Sequence, residues 1–335
     1  MNWIDLPKLR QVELLKLLED KTGLNAKSIE KDWWVTLALK ALFTSSYSSF
    51  IVFKGGTSLS KCWNLIDRFS EDIDLAIDRE FLGFHGDLTK RDIGKKLRKA
   101  SCAFIRGELR DELERCILNE GVEREKFTLE VHITKESNVD PETLFLHYES
   151  VLDNSDYIFN TVKIEIGSRS LTEPTEEVSI RSIIGEFLPN SEFADNPTVV
   201  KAVLPKRTFL EKAFLLHELF QSNTHNAEII RMSRHLYDLE KLMDTTFCKD
   251  FLKDKTLYNE IIQHREKFTS MSNVDYSTHQ PSTINFTPPD SNLKEWEKDY
   301  LIMQENMIYG KSLSFRQLII RIQELNDRFK RGFIE

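Results

Sequence analysis

The hydrophobic pattern changes character along the chain. Over residues 7–21 leucines recur at helical spacing, and Gly23 follows where it can stop a helix. Residues 25–43 predict a second helix, in which Ile29, Trp33, Leu37 and Ala41 recur every four positions and share a face. A short apolar strand, 50–53, runs into the pair Gly55-Gly56, followed by a short helix over 57–66 and a second strand over 72–77. A long helix is predicted over 89–119, with Gly121 placed to cap it. Residues 127–133, 144–148, 158–166 and 178–184 read as strands. In the third of these Val162, Ile164 and Ile166 alternate with Lys163 and Glu165.

From Pro205 onward the pattern is helical only, over 205–220, 226–243, 293–308 and 314–329. The Ser-, Thr-, Asn- and Pro-rich stretch 270–292 predicts a mobile loop. Strands mixed with helices, then helices alone, predict an α+β protein. Its first domain would span 1–200, with a mixed sheet flanked by helices, and its second, helical domain 201–335.

Composition narrows the classes. With 40% hydrophobic residues the chain has enough apolar material for a sizeable core. A net charge of −8 excludes a globally basic nucleic-acid-binding surface, so any RNA contact needs a local patch. The best local basic group is Lys90, Arg91, Lys95, Lys96, Arg98 and Lys99 on the long helix. The four cysteines show no zinc spacing and read as free thiols. The apolar stretch 33–43 is broken by Lys40 and too short to span a bilayer. A cytoplasmic protein without a membrane partner is expected.

The chemistry is concentrated in two short segments, 54–61 (KGGTSLSK) and 68–75 (RFSEDIDL). Glycines between a strand and a helix let backbone amides approach a phosphate, and the helix start adds further N–H donors. Thr57 and Ser58 supply hydroxyls. Asp72 and Asp74 stand two apart on a strand, so both carboxylates share one face. Two adjacent carboxylates repel and call for a cation, and hard oxygen ligands suit Mg²⁺ or Mn²⁺. Arg68, Ser70 and Lys61 flank these segments as candidate phosphate contacts. The glycine pair matches neither a Walker A loop nor a dinucleotide fingerprint.

Gly55-Gly56-Thr57 followed by Arg68-x-Ser70-x-Asp72-Ile73-Asp74-Leu75 resembles the polymerase-β-type nucleotidyltransferases, and more closely the AbiEii/AbiGii toxin family of abortive-infection toxin–antitoxin systems. Glu30-Lys31-Asp32-Trp33-Trp34 is similar to that family's N-terminal signature. Thr208-x-x-x-Lys212 resembles its third motif, and Arg234-His235-Leu236-Tyr237-Asp238-Leu239 its fourth. One departure is His235, where relatives often carry an acidic residue.

The resemblance implies a nucleotidyltransferase core with a helical C-terminal domain contributing Lys212 and Asp238. It implies a nucleoside triphosphate as substrate, a divalent metal on Asp72 and Asp74, and a cognate antitoxin as partner. Some relatives nucleotidylate tRNA, which makes an RNA end such as a tRNA 3′ end the expected acceptor. Lys212 would bind triphosphate, and Asp238 would orient it or accept the acceptor's proton. Glu165 is a candidate third metal carboxylate. Two alternatives stay open: a nucleotide-binding regulatory subunit without turnover, and transfer to a protein side chain. Trp33 and Trp34 read as core packing.

Overall fold

The computed structural model describes residues 2–133, 142–153, 158–170, 172–221 and 229–333. The chain divides into two compact units. One comprises Met1–Cys62 and Phe69–Val203, the other Trp63–Arg68 and Leu204–Glu335. The short Trp63–Arg68 segment thus goes with the C-terminal helices, although it lies between the two motif segments in sequence.

The first unit begins with α1 (Lys8–Thr22), which ends on Gly23 at φ +73°, and α2 (Ala26–Phe43), capped by the Asn25 side chain. Next come β1 (Ile51–Lys54), α3 (Gly55–Lys61) and β2 (Ile73–Ile77). Helix α3 starts two residues before the expected point and stops five before it, so the glycines open the helix instead of preceding it. The long expected helix is present as one helical run with two π-type stretches, Asp92–Leu97 and Ile105–Leu109, around α4 (Arg98–Phe104) and α5 (Arg110–Asn119). Four more strands follow, β3 (Phe127–His132), β4 (Glu142–Tyr148), β5 (Thr161–Gly167) and β6 (Thr175–Ile180). Helix α6 (Ile183–Phe187) and strand β7 (Thr198–Val203) close the unit. Neither was legible in the sequence, because α6 is a single turn and β7 has no turn signal next to Pro205.

These strands form a seven-stranded sheet in the order β3-β4-β5-β2-β1-β7-β6. It is mixed: β2 pairs parallel with β5 and antiparallel with β1, which pairs parallel with β7. One face carries Phe53, Ile73, Leu75, Ile164, Ile166, Leu144 and Leu146, all closed to solvent. Helix α2 packs on this apolar side, where Trp34 stacks on Tyr148 at 5.0 Å between ring centres. Trp33 and Trp34 are core residues, 4% and 1% exposed. The opposite face carries Asp74 and Glu165. The protein is therefore α+β, with a mixed sheet flanked by helices.

The second unit contains α7 (Pro205–Gln221), α8 (Ser233–Leu242), α9 (Lys255–His264), α10 (Leu293–Asn306) and α11 (Phe315–Lys330). The expected helix over 226–243 is found only from Ser233, after a turn at 230–232, and its first positions, 226–228, lie outside the described residues. The stretch 270–292 is not an open loop. Tyr276, His279, Ile284 and Phe286 are buried in it, and Phe286 packs against Phe329 of α11. Its polar composition hid these anchors, which recur at neither helical nor strand period. No helix among the described residues is long and apolar enough to cross a membrane.

Candidate active site

In the first unit the register places Asp74 opposite Glu165 on β5 and opposite Lys54 on β1. Directly paired residues share a face, so the three side chains form one row across the sheet. Asp72 stands one residue ahead of β2. Asp72 and Asp74 are both half-buried.

Gly55 explains why a glycine starts α3. Its φ is +82°, a region L side chains rarely adopt, and a Cβ there would lie 2.1 Å from Asp74 Oδ2. The Asp74 carboxylate therefore rests against the bare backbone of Gly55. The first amides of a helix have no intrahelical acceptors, so Gly55-Gly56-Thr57 brings N–H donors next to a carboxylate pair.

Other side chains in the segment are committed internally. Thr57 is 1% exposed; its hydroxyl lies 2.9 Å from Ser70 Oγ and within hydrogen-bond reach of the Asp72 carbonyl. Ser58 is fully buried. Thr57, expected as a hydroxyl donor to phosphate, here ties α3 to the backbone of Asp72 and to Ser70. The ammonium of Lys61, also expected at phosphate, sits 2.6 Å from Asp32 Oδ1, with the two side chains 7% and 8% exposed. Glu165 pairs with Lys163 at 2.8 Å. Among the described residues no group of three or more His, Cys, Asp or Glu side chains is arranged to hold a metal ion. Glu165 thus shares the Asp74 row without completing a three-carboxylate cluster.

The second unit holds a separate charged cluster. Arg68, 2% exposed, clamps Asp238 with two bonds, Nε to Oδ1 at 2.7 Å and a terminal nitrogen to Oδ2 at 2.7 Å. Arg68, expected as a phosphate contact, is thus engaged with Asp238 in this buried fork. Lys212 Nζ reaches the same Oδ2 at 2.9 Å and approaches His235 Nδ1 at 3.4 Å. Two cations therefore face one carboxylate.

Burial alone would raise the Asp238 carboxyl, but Arg68 first and Lys212 next more than offset it and hold it well below the usual carboxylate range. Asp238 is closed to solvent and stays ionised. Burial lowers Lys212, and Asp238 pulls it part of the way back. Burial, then Lys212 and Arg234, push His235 well below its ordinary value, so its ring is neutral and accepts from the ammonium.

A family model described as the nucleotidyltransferase AbiEii toxin of type IV toxin–antitoxin systems matches residues 37–321. The chain belongs to the AbiEii toxin family. It is a nucleotidyltransferase toxin of a type IV toxin–antitoxin system, and the match takes in Asp72, Asp74, Lys212 and Asp238. No curated protein matches the chain. Among solved structures, it aligns with MenT4, a nucleotidyltransferase toxin from Mycobacterium tuberculosis H37Rv. That alignment covers 95% of this chain and 97% of MenT4 at 15% identity, with a TM-score of 0.44.

In this AbiEii protein sequence reasoning missed the Arg68–Asp238 fork. Its members are 170 positions apart, and no spacing signals such a pair. It also missed that Glu30, Lys31 and Asp32 are buried in α2. One signal was available: charged residues interrupt an otherwise apolar helix that has no clear polar face.

Proposed function

We propose that this AbiEii toxin transfers a nucleotide from a nucleoside triphosphate to an RNA end, with a tRNA 3′ end as the acceptor class, and that a cognate antitoxin restrains it in abortive infection. The observation that carries the reading is the placement of Asp72 and Asp74 beside the glycine start of α3, with Gly55 packed on the Asp74 carboxylate. Carboxylate oxygens at the start of an interior strand next to backbone amides fit Mg²⁺, which favours hard oxygen donors. When bound by Asp72 and Asp74, Mg²⁺ would activate an acceptor hydroxyl and offset charge on the triphosphate.

The remaining work falls to the chain's own groups. The amides of Gly55, Gly56 and Thr57 bind phosphate oxygens. Ser70, half-buried and held by Thr57, lines the same turn. Lys212 offsets negative charge on the triphosphate, and Asp238 with His235 fixes where its ammonium points. In the transfer the acceptor oxygen bonds to the α-phosphorus, the bond to pyrophosphate breaks, and the acceptor proton leaves to solvent.

The acidic chain needs a local surface for RNA. Lys90, Arg91, Lys95, Lys96 and Lys99 are exposed on the long helical run, where Lys96 pairs with Asp92 at 2.9 Å. The test is incubation with each α-labelled triphosphate in turn together with total RNA and protein extract. Label in RNA of tRNA size supports the reading. Label confined to protein replaces it with side-chain modification, and no label with any triphosphate contradicts turnover.

A further inference from the structure

Helix α2 is buried along nearly its whole length, including the consecutive charged residues Glu30, Lys31 and Asp32, which are 1%, 3% and 6% exposed. Successive helix positions point about 100° apart, so the three reach different segments. Glu30 accepts from the Ser150 hydroxyl at 2.6 Å and the Val151 amide at 2.8 Å. Lys31 Nζ donates to Glu71 Oε2 at 2.7 Å and to the Phe159 carbonyl at 3.1 Å. Asp32 accepts from Lys61 Nζ on Oδ1 at 2.6 Å and from the Ile183 amide on Oδ2 at 2.8 Å.

The targets of Lys31 and Asp32 have something in common. Glu71 is the residue before Asp72. Phe159 stands just ahead of β5, which carries Glu165. Lys61 ends α3, the helix that opens on Gly55. The sheet ladder of β2 begins only at Ile73, so Asp72 lies outside it. Buried ion pairs add little net stability over apolar side chains of the same volume. What they supply is a fixed direction.

We propose that Lys31 and Asp32 are positioning residues of the transfer centre. Lys31 sets the approach of Asp72 through Glu71, and Asp32 sets the far end of α3 through Lys61. Both precede the stretch matched by the family model, 37–321. The inference rests on the reading that Asp72 and Asp74 hold the metal.

The experiment compares wild-type protein with the double variant Lys31→Met/Glu71→Leu, which removes the pair while keeping volume. Three quantities are read: melting temperature, amide hydrogen exchange of the peptide spanning 69–75, and Mn²⁺ affinity by electron paramagnetic resonance. The expected result is a melting temperature close to wild type, faster exchange over 69–75, and Mn²⁺ affinity weakened roughly 10-fold, the effect typical of groups that orient metal ligands. Unchanged exchange and unchanged Mn²⁺ affinity overturn the proposal. If the wild type itself binds no Mn²⁺, the metal reading fails, and the exchange result still decides whether Lys31 holds the segment. If the double variant does not fold, Lys31→Gln/Glu71→Gln, which keeps an amide hydrogen bond, takes its place in the same three measurements. Lys31→Arg, which keeps the pair, should restore both readouts.

Discussion

The two charged centres of this protein are built on opposite principles. In the first unit, Asp72 and Asp74 are half-buried, Asp72 one residue ahead of β2 and Asp74 on a sheet face against the bare backbone of Gly55. In the second, Asp238 is fully buried and gripped by Arg68 and Lys212. The first arrangement leaves carboxylate oxygens beside donors suited to a phosphate. The second satisfies its carboxylate within the protein. Nearly the same residue chemistry therefore stands half-buried on the sheet in one place and fully buried between two cations in the other, and burial separates them.

The largest contrast comes from removing one charge in each centre. Asp74→Asn keeps shape and removes a proposed metal ligand, so transfer should fall by roughly 10³-fold, a loss of several kcal/mol of transition-state stabilisation. Its melting temperature should stay within a few degrees. Asp238→Asn leaves Arg68 buried against a neutral amide, and breaking a buried pair costs about 3–5 kcal/mol. Denaturant unfolding of both variants checks the contrast, and equal stability losses would erase it.

Gly55→Ala probes the contact between backbone and carboxylate. The added Cβ must displace Asp74, and φ +82° strains any L residue. Positive-φ strain costs on the order of 1–3 kcal/mol, and transfer should be lost well beyond what that instability explains. Activity at wild-type level in the folded fraction would show that Asp74 need not sit where it does.

Lys212→Ala sharpens the second centre. Asp238 keeps both Arg68 bonds without Lys212, so the stability loss should be smaller than for Asp238→Asn. Triphosphate use should drop by about 10²-fold, the effect of losing one preorganised charge donor. Steady-state kinetics against triphosphate concentration, beside a melting curve, measures this. A proportionate loss of both would make Lys212 a structural lysine.

These two centres were not equally legible in sequence. The surroundings of Asp74 could be read because they are local: the strand expected over 72–77 is found at Ile73–Ile77, and a glycine pair announces close backbone approach. Lys212 and Asp238 were located by resemblance alone. The pairing of Arg68 with Asp238 was not legible, because it depends on how residues far apart in sequence fold together. The same holds for Lys61, whose acid partner Asp32 lies on α2. Helices with one clear apolar face or a cap residue were predicted close to their observed bounds, as for α1, α7 and α11. The packed stretch 270–292 was misread because its few buried side chains follow no period.

A smaller effect is expected from pH. His235 and His217 both have lowered pKa values, in each case chiefly through burial. The unfolded chain binds protons at these rings below the ordinary histidine value of about 6.5, while the folded chain does not. Their stability contribution is therefore complete above that value and is lost as pH falls below it. Melting temperature should decline from pH 7 to 5, and His217→Asn with His235→Asn should flatten that decline. An unchanged slope would mean other groups set it.

The smallest effect concerns the exposed basic run. Changing Lys95, Lys96 and Lys99 to Glu should weaken RNA binding and reduce the salt slope by about 0.7 per lost single-strand phosphate contact. Triphosphate affinity should be unaltered. Coincident salt curves for wild type and variant would make the run an ordinary solvated helix face.

The most direct test of the central claim follows two positions of label on one productive triphosphate. Purified protein, Mg²⁺ and acceptor are incubated with α-labelled or γ-labelled triphosphate, for wild type and Asp72→Asn. The account predicts covalent label on the acceptor from the α position only, and none from Asp72→Asn. Transfer of γ label, or undiminished α labelling by a folded Asp72→Asn protein, would contradict it.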